Sequence, residues 1–451
     1  MGKGGSATAS LPTERLPAPK VPRSELANTL AQPTDEITKR SLRECIPAHC
    51  FKRSYAHSLF VLAWDLAMVA VAFWAVHAAV AALPATYHPL AWLAYWWYQG
   101  LTFTGLWVLA HECGHGGFTD SRLVNDAVGF CLHSGLITPY FSWAITHAKH
   151  HHYTNHMTMG ETWVPSTAHP DKRSVKAAKT VLGTAKRTAI IALLGWYSYL
   201  IFNATGAKQN LGQSHFNPGA KALFKKKDAN YVRASNLGML IAIAACAMGA
   251  HTYGGLALVR SYLIPQMICN FCARPRTPTA PCGAFYRPRP GLLSARVRRA
   301  RAPNRAPDRA PTCAEPDAYV RARVPPSADL CAITFMQHTH PDVPHFDDAE
   351  WTWLRGALST IDRTMGPFAD MKTHYIVPSH VVHHIFSDMP YYGAMEATPY
   401  VAAHLGKYYK ASMPKKVMGS EYLGYWADFW TAMRTSVSVG REEGSEFLWF
   451  H

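Results

Sequence analysis

Two uninterrupted apolar runs near the start of the chain constrain its fold more than any other feature. They are SLFVLAWDLAMVAVAFWAVHAAVAAL over 58–83 and PLAWLAYWWYQGLTFTGLWVLA over 89–110. Each reaches the roughly 20 residues that cross a hydrocarbon core as a helix. The connector between them, PATYH, carries no Lys or Arg. The polar stretch 111–187 closes instead on Lys172, Arg173, Lys176, Lys179, Lys186 and Arg187. Basic residues collect on the cytosolic side, so this stretch is cytosolic, and so is the N-terminus two crossings earlier. Asp65 inside the first run is either functional, as intramembrane acids often are, or bonded within the helix bundle.

Further apolar pieces lie at 188–204, 235–253, 262–271 and 330–337. The 188–204 piece is short and flanked by basic clusters, which suits the membrane interface. Histidine clusters stand before residue 152 and after 337. If they build one site, an even number of crossings separates them. The expected fold is therefore an all-α integral membrane protein with about four transmembrane helices in two hairpins. Interfacial helices and a cytosolic helical cap carrying the histidines complete it. The spans are 58–83, 89–110, 235–253 and 262–271 joined to 330–337. Residues 1–44 read as a disordered cytosolic tail, 45–435 as the folded domain and 436–451 as a C-terminal tail.

Composition agrees. Charged residues make up 16% of the chain, against about 25% in soluble domains. Hydrophobic residues at 49% exclude disorder over the whole chain. The net charge of +16 is placed at membrane flanks, and no nucleic-acid partner is expected. Ten cysteines show no disulfide spacing, as in a reduced compartment.

One segment does not fit. Residues 272–329 hold 12 Arg, 11 Pro and 12 Ala against 4 acids, or 12 − 4 = +8, half the net charge. They interrupt an apolar run whose halves, 10 and 8 residues, cross nothing alone but make 18 when joined. The segment reads as a foreign insertion, a retained intron or gene-model error, in preference to an arginine-rich loop for an anionic partner.

The chemistry is carried by histidine. His111-Glu-Cys-Gly-His115 follows the second span, and His147-Ala-Lys-His150-His151 comes about thirty residues later. His380-Val-Val-His383-His384 lies near the C-terminus, and His338 ends the last apolar run. Positions i, i+3 and i+4 share one helix face, so each cluster aims two or three imidazoles at one point. Neutral imidazole suits Zn, Cu, Fe and Ni. The expected ligands are His111, His115, His147, His150, His151, His338, His380, His383 and His384. Glu112, His152, His340 and His345 are expected as support, and His152 offers a register competing with His150 and His151. HECGH also fits the zinc-protease pattern HExxH, but that reading leaves the other clusters unexplained. A metal transporter would want polar groups along the spans, which are nearly clean.

The three boxes in this order resemble the membrane fatty-acid desaturase family, in its acyl-lipid delta-12 (omega-6) branch. ECIPAHCFKRS, HECGHGGFTD, LITPYFSWAITHAKHH, AITFMQHTHPDVPHF, EWTWLRGALSTIDR, HVVHHIFSDMPYYGAMEAT and LGKYY carry the likeness. It covers about 41–271 and 330–435 and fails over 272–329. Gly116 stands where many relatives have His or Gln. The resemblance implies two iron ions on the box histidines. With O2, and electrons from NADH through cytochrome b5 reductase and cytochrome b5, they remove two hydrogens from a phospholipid-bound oleoyl chain. Omega-3 (delta-15) desaturation, or hydroxylation or epoxidation on the same scaffold, is the alternative outcome. The absence of an HPGG haem motif implies a separate cytochrome b5. The tail EFLWFH looks like the aromatic endoplasmic-reticulum retrieval signals of plant relatives, which places the boxes on the cytosolic face of that membrane.

Overall fold

The computed structural model describes residues 37–270, 329–441, 445 and 447–450. The anomalous segment therefore lies outside the described residues except for Asp329, and so does most of the N-terminal tail.

The described chain is mostly helical. Helix α1 (Tyr55–Ala82) starts where the Ser54 hydroxyl accepts the His57 N–H, and stops one residue short of Pro84. Helix α2 (His88–His115) has Pro89 in its first turn and packs back against α1 as a hairpin. It ends on Gly116, whose φ of 77° supplies the left-handed cap that few other residues adopt cheaply. That stop fixes His111 and His115 on the last turn. Helices α3 (Arg122–Gly135) and α4 (Tyr140–His152) follow, then α5 (Val181–Phe202) and α6 (Ala229–Tyr253). Gly254, at φ 89°, turns α6 into a short π-distorted run leading to α7 (Ile264–Asn270). Helix α8 (Asp329–His338) contacts α7, α2 and α5. The last helices are α9 (His380–Ile385), α10 (Tyr391–Leu405) and α11 (Glu421–Thr435).

Among the described residues, two helices are long and apolar enough to cross a membrane by length and composition, Tyr55–Ala82 and Lys226–Tyr253. Their outer faces carry large exposed apolar side chains, with Phe60 65%, Trp74 70%, Leu240 65% and Met248 67% accessible. Contiguous apolar surface of this kind is costly in water. Helix α2 is 28 residues long, but buries Gln99, Thr102 and Thr104 within the bundle. Asp65 on α1 is also buried, and its carboxylate accepts from His374 Nε2 at 2.8 Å. The acid of this apolar helix is thus partnered within the bundle. Gly105 on α2 lets this pair approach: a Cβ there would overlap the Lys372 carbonyl oxygen and lie 3.4 Å from Asp65 Oδ2.

The 436–451 segment, read from the sequence as a tail, contains an antiparallel strand pair, Val439–Arg441 with Leu448–Phe450. Leu448 also exchanges backbone hydrogen bonds with His345 at 2.8 and 3.0 Å. Phe447, Leu448, Trp449 and Phe450 are all buried.

Candidate metal centre

The last turn of α2, the last two turns of α4, the end of α8 and the whole of α9 meet around one interior space. Five imidazoles there, His111, His115, His147, His151 and His383, have ligand nitrogens all within 4.8 Å of one another. Beside them, His150, His338 and His384 form a second such group. His380 joins the second group through its Nε2, 3.1 Å from that of His338. All nine expected ligands are thereby brought together, in two adjacent clusters.

The nitrogens face one another in a way that hydrogen bonding alone does not satisfy. His151 Nε2 lies 3.0 Å from His147 Nε2 and 3.2 Å from His383 Nε2. His338 Nε2 lies 3.2 Å from His150 Nε2 and 3.1 Å from His380 Nε2. A neutral imidazole carries one N–H, so three nitrogens meeting at a point leave lone pairs opposed. Ligand nitrogens about 2.1 Å from a shared metal stand roughly 3.0–3.4 Å apart at angles between octahedral and tetrahedral, which is the spacing seen. The buried Nε2 atoms of His115 and His384 have no hydrogen-bond partner and point to the same use. The donor set therefore fits one or two metal ions.

Electrostatics agrees. Burial holds His150 down to about 3 from an ordinary 6.5, with the charge of His111 adding to the effect. Burial and then neighbouring imidazoles hold His147, His151, His383 and His384 well below their ordinary value. All are neutral at physiological pH, the form in which imidazole binds a metal.

Tautomers are set by groups behind the ring. The Thr154 Oγ1 lies 2.9 Å from the His150 carbonyl and 3.1 Å from His384 Nδ1. Its single proton goes to the carbonyl, so the oxygen accepts Nδ1–H and leaves the His384 Nε2 lone pair free. Glu112 is buried with one carboxylate oxygen 3.2 Å from His111 Nδ1 and 4.0 Å from His383 Nδ1. Burial pushes its carboxyl up to about 8, against the opposing pull of His374 and the Tyr391 amide. Asp362, buried, accepts the Val381 N–H at 2.8 Å and the Tyr409 O–H at 2.6 Å, and so anchors the start of α9. Neither Thr154 nor Asp362 stands out in the sequence. Their partners are remote in the chain, and only STIDR marked the neighbourhood of Asp362.

The other expected supports divide. His345 is buried near His338, with both ring nitrogens unpartnered. His340 is half-buried and its Nδ1 accepts the Asp342 N–H at 3.1 Å, which holds a turn away from the clusters. His152 is exposed, its ring beside Tyr153 and Trp351, and is not brought to the centre. His150 and His151 take the inward register.

A cavity of about 70 Å³ reaches His111, His147, His150, His338 and His380. Trp107, Trp143, Trp196, Ile333 and Ile376 make its walls apolar. Its half-buried side carries Thr162, Trp163 and Thr205, with the two threonine hydroxyls 3.0 Å apart. Buried Gly195, Leu330 and Cys331 line it as well. An apolar lining with a few convergent polar groups is the chemistry that suits a hydrophobic ligand.

Known proteins resemble the chain over most of its length. The profile described as "Fatty acid desaturase" matches residues 90–305. The Delta(12) fatty acid desaturase of Mortierella isabellina is 35% identical over 390 residues, 83% of each chain. The omega-6 fatty acid desaturase, endoplasmic reticulum, of Brassica juncea is 33% identical over 91% of this chain and 90% of its own. The fatty acid conjugase FAC2 B of Calendula officinalis is 32% identical over 100% of this chain and 99% of its own.

Proposed function

Since the chain belongs to the fatty acid desaturase family, we propose that it inserts a cis double bond at the delta-12 position of phospholipid-bound oleoyl chains to give linoleoyl. The observation that carries this reading is the meeting of nine neutral imidazoles in two clusters at the end of an apolar cavity. The balance is R–CH2–CH2–R′ + O2 + 2e⁻ + 2H⁺ giving R–CH=CH–R′ + 2H2O. Two irons, bound when the protein is loaded, supply the O2-dependent oxidising power that an unactivated C–H bond demands. His111, His115, His147, His151 and His383 would hold one, and His150, His338, His380 and His384 the other. Electrons come from NADH through cytochrome b5 reductase and cytochrome b5.

The chain's own residues do the rest. Thr154 accepts the Nδ1 proton of His384, so that its Nε2 lone pair is left for the cluster. Trp107, Trp143 and Trp196 line the approach to the imidazoles, exclude water and keep the acyl chain extended along the cavity. We place the protein in the endoplasmic reticulum membrane, crossed about four times, with the boxes cytosolic; the basic flanks of 111–187, the exposed apolar faces of α1 and α6 and the printed name of the Brassica relative support this. We attribute 272–329 to a retained intron or gene-model error.

Expression in yeast lacking delta-12 activity, with gas chromatography of its lipids, tests the reaction. A new 18:2 product with bonds at positions 9 and 12 is expected. The conjugase among the relatives supports a second outcome, a conjugated or otherwise modified product from the same scaffold. No change in the lipids would overturn the proposal.

A further inference from the structure

Away from the histidine boxes, one further set of metal-ligating side chains meets among the described residues. It is His49, Cys50 and Glu396, whose ligand atoms all lie within 4.8 Å of one another. His49 and Cys50 stand on a 3-10 turn, Ala48–Phe51, and Glu396 on α10. Glu396 is 347 residues from His49 in the chain, so packing alone brings them together. Gly393, three residues before Glu396, lies on the same face of α10. A Cβ there would overlap the Cys50 carbonyl oxygen, so glycine is what lets the turn sit on the helix. Phe51 then meets Phe386, at the end of α9, edge to face with centroids 5.4 Å apart. Cys50 is buried in the same apolar cluster as Val382 and Ile385 of α9.

His49 Nε2 and Glu396 Oε1 lie 2.6 Å apart, and both side chains are exposed. Alone they would be a surface ion pair, worth little. Cys50 makes the difference, since a thiol in no disulfide lies within ligand reach of both. Burial and then the Glu396 charge push that thiol up to about 11, so a metal must displace its proton. We propose that His49, Cys50 and Glu396 form a third metal site, separate from the boxes, that takes zinc and leaves a fourth position to water. An imidazole, a thiolate and a carboxylate are all zinc ligands, and the two anionic donors balance the charge of the ion. Sulfur in the set selects against magnesium and calcium, which take oxygen. As the Zn–S bond forms the S–H bond breaks, and its proton leaves to water; nothing is oxidised or reduced. His49 binds as neutral imidazole through Nε2, with its ring proton on Nδ1. The ion clamps the segment before the first apolar helix onto α10 and, through Cys50 and Phe51, steadies α9. None of this depends on the reaction proposed above.

The test is equilibrium dialysis of the intact, iron-loaded protein against zinc. Wild type should take up one zinc per chain and keep its iron. His49→Ala and Glu396→Gln change exposed side chains and should fold as wild type does, whereas Cys50→Ser changes a buried one. Loss of a ligand costs more than loss of a group that orients one, so each variant should bind zinc at least about 100-fold more weakly. Cobalt in place of zinc should give a thiolate-to-metal charge-transfer absorption that Cys50→Ser lacks. The Cys50 and Lys52 amides donate to the Pro47 and His49 carbonyls at 3.0 Å, and opening the turn releases the ion. Zinc at about 100 times its dissociation constant should therefore slow their hydrogen exchange about 100-fold in wild type and leave the variants unchanged. Equal zinc binding by wild type, His49→Ala and Glu396→Gln overturns the proposal. So does zinc that enters only by displacing iron, or exchange at the turn that zinc does not slow.

Discussion

Replacing Thr154 by Val tests how the protein prepares His384 as a ligand. The two side chains are nearly the same size, so the change removes one hydroxyl and little volume. In the native arrangement that oxygen gives its proton to the His150 carbonyl at 2.9 Å and accepts from His384 Nδ1 at 3.1 Å. With Val, the buried Nδ1 loses its acceptor. The imidazole is then free to carry its proton on Nε2, where it blocks metal binding. Loss of a group that orients a metal-bound histidine typically weakens affinity 10–100-fold. That corresponds to about 1.4–2.7 kcal/mol. The direct effect on folding of the metal-free chain is smaller, about 0.5–1.5 kcal/mol for one hydrogen bond. The assay is iron retention by purified protein dialysed against a graded series of chelators. Thr154→Val should release iron at chelator strengths at least tenfold lower than wild type, and Thr154→Ser should retain it. Equal retention by Val and wild type, or equal loss by Val and Ser, would refute the reasoning.

Gly105→Ala should lower the melting temperature by the equivalent of about 1–3 kcal/mol, because the new methyl collides with the Lys372 carbonyl beside the Asp65–His374 pair; Asp65→Leu, which leaves buried His374 unpartnered, should cost about 3–5 kcal/mol, and the double mutant should lose less than the sum. Asp362→Ala should reduce iron retention through α9 while leaving the melting of α1 and α2 by hydrogen exchange unchanged. Metal-free protein should be acid-labile. The box histidines have folded values below the unfolded 6.5, so their stability is present above that pH and is lost as pH falls toward about 3 for His150. For His150 that amounts to about 2 kcal/mol at pH 5 relative to pH 7, and a melting temperature that holds flat to pH 4.5 would contradict this. Deleting 272–329 should raise the yield of active protein; full activity of the 451-residue form at equal yield would show the segment to be native.

The clustered histidines were legible because helical spacing is local: HxxxH and HxxHH put imidazoles on one face whatever the rest of the chain does. His338 was legible through its place at the end of an apolar run. The groups that orient these ligands were not, since Thr154 meets His384 across 230 residues and Asp362 meets the start of α9 only through a turn. The same holds for Asp65, whose partner His374 lies 309 residues away. The aromatic segment 447–450 showed the limit from the other side. Read locally it is an exposed signal, yet its pairing with His345 and with 439–441 buries all four side chains.

The central claim is that the nine histidines hold two irons, and elemental analysis of the purified, intact protein addresses it most directly. About two irons per chain are expected, falling to about one when His151 or His338, whose nitrogens are at the centre of each cluster, is changed to Ala. One zinc per chain with no iron would contradict the account.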